Sequence, residues 1–130
     1  MTRAVSRQYL PAVIEAARTM GWIYRDVSGV DMLVDAAQAK ARSAVHLVFL
    51  NEKVRPEYVE AVPASEPDRT REGVVLAPVA DLVLMKLTSF RLKDRVHIQD
   101  LDAVGLISTE IEAQLTPLLR DRLAEVRSSE

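Results

Sequence analysis

Cysteine is absent from this chain, which excludes disulfides, cysteine-ligated zinc and thiol nucleophiles, and leaves the redox compartment unreadable from that residue. No apolar run approaches the roughly 18–20 residues of a membrane-spanning helix. The opening MTRAVSRQYL lacks the apolar middle of a secretory signal. A cytoplasmic protein without membrane contact is therefore expected. An excess of one charge is missing too: the formal net charge is −2, which removes any whole-protein electrostatic case for nucleic acid. Internal repeats and low-complexity tracts are also lacking. The chain's 130 residues, 48% of them hydrophobic and 28% charged, suit one soluble domain over 1–130 with one core.

What is present reads as a mixed α/β pattern. Residues 1–9 show little periodicity and are expected to be irregular. Leu10, Val13, Ile14 and Ala17 recur at helical spacing, so Pro11–Met20 is predicted helical, with Gly21 as its stop. Trp22–Val27 and Val30–Asp35 alternate as strands about a Ser28-Gly29 turn. The alanine-rich piece Ala36–Ala44 suits a helical turn or a loop. Ala44–Leu50 is the clearest strand, apolar on both faces and so expected in a central, doubly covered position. Pro56, Pro63 and Pro67 argue for a long loop over Asn51–Arg71 with at most an edge strand near Tyr58–Val62. Val74–Leu76 is a short strand leading into a helix that opens at Pro78. Asp94 is predicted to cap a second helix ending at Gly105, Thr109 with Glu112 a third, and Thr116-Pro117 a fourth. Short connections within Trp22–Leu50 favour an antiparallel meander over βαβ units. The expected fold is a small mixed, largely antiparallel sheet packed with helices and followed by a helical tail.

The stretch Pro78–Ile107 carries the most information. Leu82, Val83, Leu84, Met85, Leu87 and Phe90 make its first half apolar on nearly every side, so it belongs in a core. Lys86 sits in the middle of it. Such a lysine either snorkels to solvent or faces an anion, and both readings stand. Lys93 follows seven residues later and would return to the Lys86 face of one continuous helix.

The run Lys86-Leu87-x-x-x-Arg91-x-Lys93-Asp94, with Asp100-Leu101 after it, resembles the late motif of nucleotidyltransferase-like proteins. These are the AbiEii-type and minimal nucleotidyltransferases, many of them from toxin–antitoxin and phage-defence loci. The resemblance implies a lysine helix lying beside a nucleoside triphosphate, with the following helix packed under it. It implies nucleotide binding by Lys86, Arg91 and Lys93, structural roles for Asp94 and Asp100, and Mg²⁺ as the accompanying ion. The likeness extends more loosely through Gly21–Ile107.

Nucleotidyl transfer needs Mg²⁺ held by carboxylates, and the family supplies them from an Asp-x-Asp strand after a Gly-Ser or Gly-Gly turn. This chain has neither turn; of its acid-x-acid triplets, Glu66-Pro67-Asp68 falls in the expected long loop, and Asp100-Leu101-Asp102 and Glu110-Ile111-Glu112 fall in predicted helices. There, residues two apart point about 200° from each other. Asp31 and Asp35 share a strand face but stand about 13 Å apart at strand rise, with His46 as the remaining candidate ligand. The expectation is a partial nucleotidyltransferase-like domain lacking its catalytic front end and inactive alone. It would bind a nucleotide, a protein partner or a second copy. Two further readings are an active enzyme with an atypical metal site of Asp31, Asp35 and His46, and an interaction module with no ligand.

Overall fold

The computed structural model describes residues 2–38 and 43–129, and the chain divides into two compact units, Met1–Pro56 and Glu57–Glu130. The architecture is mixed α/β. Among the described residues no helix is long and apolar enough to cross a membrane.

The first unit is built on a four-stranded sheet in the order β1-β4-β3-β2. Strands β2 (Trp22–Val27), β3 (Val30–Asp35) and β4 (Val45–Phe49) form the expected antiparallel meander. Ser28 and Gly29 both have positive φ, 52° and 80°, as the tightest hairpin turn requires. The Asp26 carboxylate accepts from the Gly29 N–H at 3.0 Å and holds that turn closed.

Strand β1 (Thr2–Val5) corrects the expectation of irregular structure at residues 1–9. It pairs in parallel with β4, Thr2 opposite His46 through Val5 opposite Phe49. Its residues are mostly exposed, so the backbone ladder rather than apolar alternation defines the strand. A 3-10 turn at Arg7–Tyr9 leads into α1 (Leu10–Thr19), which packs against β2 and ends before Gly21 at φ 84°. Arg7 closes the junction by a two-nitrogen fork on Glu52, at 2.8–3.0 Å, while its guanidinium lies 3.9 Å above the Phe49 ring. Strand β4 is central as expected, but its two faces differ: Leu47 and Phe49 are buried, whereas His46 is exposed. Part of the alanine-rich piece, residues 39–42, lies outside the described residues.

The second unit begins with an extended segment. Tyr58–Val62 forms no strand beyond a single bridged residue, Val62, and the flanking Pro56 and Pro63 lack donors for a longer ladder. The short ribbon instead pairs β5 (Asp68–Arg69) with β6 (Val75–Leu76). Helices α2 (Val79–Ser89), α3 (Leu92–Ala103), α4 (Thr109–Gln114) and α5 (Pro117–Ser128) follow. Their apolar faces meet in one core that contains Val83, Leu87, Ile98, Leu119, Leu123 and Val126, each at most 2% exposed. Leu118, the neighbour of the fully buried Leu119, is 44% exposed.

The helix ends show how the unit is held. Helix α3 closes on Gly105 with the Leu106 N–H on the Leu101 carbonyl and the Gly105 N–H on that of Asp102, a Schellman arrangement. The cap of α4 is Ser108, whose hydroxyl accepts from the Ile111 N–H at 3.3 Å. Thr109 is thus the first helical residue rather than the cap. Arginines of α5 serve three other elements. Arg120 donates to the carbonyls of Glu112 and Ala113, and Arg127 bridges Asp102 and Glu112 at 2.9–3.0 Å. Arg122 donates to the carbonyls of Leu87 (2.7 Å) and Thr88 (2.9 Å), which a helix end leaves without intrahelical partners. Arg122→Ala strips both bonds and is expected to lower stability by about 1–3 kcal/mol in urea unfolding.

Candidate functional site

Helix α2 stops abruptly. Phe90 takes the left-handed conformation (φ 50°, ψ 37°), and its N–H returns to the Lys86 carbonyl. An aromatic residue is uncommon there. Its ring lies beneath two cations, Arg95 at 4.0 Å and Arg122 at 5.1 Å, contacts of the kind that attract the ring quadrupole. The break falls before Arg91, so Lys86 and Lys93 are not on one helix. Spacing of seven along a continuous helix does not apply to them, and the expected common face is lost.

Asp94 holds the junction together. It is the third residue of α3 rather than its cap: its carboxylate reaches back to the N–H of Arg91, the residue before the helix, at 3.0 Å. The same oxygen, Oδ2, accepts from Ser89 Oγ at 2.7 Å and from Arg91 Nε at 2.9 Å. The other oxygen, Oδ1, faces Lys86 Nζ at 3.5 Å. The Asp94 side chain is 1% exposed, whereas those of Lys86 and Arg91 are 22% and 62% exposed. Burial pushes the Asp94 carboxyl upward, but bonds from the Arg91 side chain, Ser89 and the Arg91 backbone outweigh it and bring the pKa down to about 2.

The other motif residues are less engaged. Lys93 is exposed in the first turn of α3 and makes no hydrogen bond or ion pair among the described residues. Asp100 is exposed as well and is not paired with Arg91 or Arg95. Those arginines are held instead by Asp94 and by Glu125, the latter at 3.2 Å. The structural acid of α3's second half is Asp102, tied to Arg127. Asp100 lines an open cleft of about 470 Å³ between α2 and α3, with Leu82 and Lys86 on one side and His97, Leu101 and Val104 on the other. This shallow, open depression brings a cation, an imidazole and a carboxylate to the edge of a mainly apolar floor.

Asp31, Asp35 and His46 do not converge. His46 pairs with Met32 across the ladder, and Asp31 with Leu47. Opposed residues share a face and neighbours alternate, so His46 lies on the opposite face from Asp31 and Asp35. Asp31 accepts from the Tyr24 hydroxyl, a bond that holds the phenol at a pKa raised to about 12. Asp35 accepts from the Ala37 N–H at 2.9 Å. Among the described residues, no group of three or more His, Cys, Asp or Glu side chains is placed to hold a metal. The donor set thus does not fit a resident Mg²⁺, which needs several oxygen ligands in octahedral array.

Comparison with family models, curated proteins and solved structures found no match.

Proposed function

We propose that the chain is a nucleotidyltransferase-like protein without catalysis of its own, which binds a nucleoside triphosphate at the junction of α2 and α3. The observation that carries this reading is the closure of the Lys86…Arg91-x-Lys93-Asp94 motif. Residues from two helices meet on one buried carboxylate, Lys86 at 3.5 Å and Arg91 at 2.9 Å, and leave Lys86 lining the cleft. Two cations on one anion leave a net positive junction, with Lys93 exposed nearby in the chain to add to it. Catalysis stays outside this reading because the candidate metal ligands lie on opposite sheet faces; Mg²⁺ would arrive on the triphosphate itself. The resemblance places such proteins in toxin–antitoxin and phage-defence settings, and we extend that setting to this chain as part of the proposal.

Isothermal titration of the full chain with ATP, CTP, GTP and UTP, with and without Mg²⁺, tests the reading. Mg²⁺-dependent binding is expected. Lys86→Ala should abolish it and Lys93→Ala should weaken it several-fold. Thermal unfolding of each variant separates loss of a ligand contact from loss of fold. No heat with any nucleotide would remove this function and turn the search to a protein partner or a second copy of the chain.

A further inference from the structure

We infer that Asp100 makes the α2–α3 cleft selective for nucleotides presenting two adjacent hydrogen-bond donors, either the N1–H and N2–H edge of guanine or the 2′,3′-diol of ribose. The inference rests on the nucleotide reading above and adds the recognition chemistry of the same site.

The cleft has a polarity. Its cationic end is Lys86, placed by its contact with Asp94 near the start of α3. An ammonium carries three donors, so the single contact with Asp94 leaves others for an anion. Asp100 follows Asp94 by six residues, about 9 Å of rise and about 120° of rotation farther along α3, and lines the same cleft as Lys86. Leu82, Leu101 and Val104 supply apolar surface for the body of the ligand. Asp100 is exposed, and no hydrogen bond or ion pair within the described residues occupies it. An ionised carboxylate only accepts, through two oxygens side by side. Its matched partner is a pair of neighbouring donors. The uracil edge, one N–H between two carbonyls, is a poor match.

The test is titration of the full chain with Mg²⁺ and GTP, ATP, UTP or 2′,3′-dideoxy-ATP, using wild type, Asp100→Ala and Asp100→Asn. Because Asp100 is exposed and unpaired, both variants should keep the wild-type unfolding midpoint. The expected result takes one of two forms. GTP binds roughly tenfold tighter than UTP, or ATP roughly tenfold tighter than its dideoxy analogue, the effect of one charge-assisted contact. In either case the difference disappears in Asp100→Ala. The first form assigns the base edge as the donor pair and the second the ribose. Equal affinities in wild type, or a preference that survives Asp100→Ala, overturn the inference and leave nucleotide binding standing. Absence of binding to every nucleotide overturns both.

Discussion

Asp94→Ala is expected to destabilise the helical unit by about 2–4 kcal/mol at neutral pH, read from urea unfolding of the full chain. The substitution removes the acceptor for Ser89, for the Arg91 N–H and for the Arg91 guanidinium, together with the counter-charge of Lys86. The loss falls short of that for a fully buried pair because Lys86 and Arg91 both reach water. A pH series isolates the charged part. The carboxyl has its ordinary pKa of 3.8 when unfolded and about 2 when folded. A depressed folded pKa means that its contribution, on the order of 2 kcal/mol by linkage, is complete above about pH 5. It disappears as pH falls through about 2. The gap between wild type and Asp94→Asn should therefore be wide at pH 7 and narrow steadily between about pH 5 and 2. A gap independent of pH across that window would show that the carboxylate charge is not what holds the junction.

The parts of the fold legible in the sequence were those with local causes. Alternation fixed β2, β3 and β4, and the Ser28-Gly29 turn set their order. The all-round apolar first half of Pro78–Ile107 marked a core helix, and Gly105 marked the end of its successor. Hidden features had distant causes. Strand β1 exists through its ladder to β4, more than forty residues away and invisible to periodicity. The stop of α2 at Phe90 carries no glycine; Arg95 and Arg122 lie over its ring, the second from α5. Placing the break three residues late moved Asp94 from third helical residue to cap and put Lys93 on the wrong helix face. At the site, Lys86 and Asp100 were readable as residues of interest, and both line the cleft. That Lys86 faces a carboxylate of its own chain was not readable, since the contact depends on two helices closing on each other. Asp102, Arg122 and Arg127 gave a weaker signal. An acid two residues from Asp100 necessarily faces elsewhere on the helix, and Arg122 donates to carbonyls at the end of α2 that only the tertiary fold brings to it.

Leu87→Ala is expected to lower the stability of the helical unit by about 2–5 kcal/mol, the range for a fully buried leucine whose surroundings cannot collapse into the space. Leu87 is 0% exposed, in the same core as Val83, Ile98 and Leu123, so truncation leaves a void bounded by several helices. Its carbonyl is one of the two that Arg122 caps, and relaxation of α2 toward the void would stretch that bond. The cost therefore belongs at the upper part of the range. Leu92→Ala is the control: that side chain is 82% exposed, and its loss should stay within about 0.5 kcal/mol. Both variants keep every charged residue of the junction, so they separate packing from the Asp94 network. Urea unfolding followed by helical circular dichroism reads the difference. Similar small losses at Leu87 and Leu92 would mean that α2 is not packed in the core of this unit. The lysine that lines the cleft would then lack the rigid support its proposed role requires.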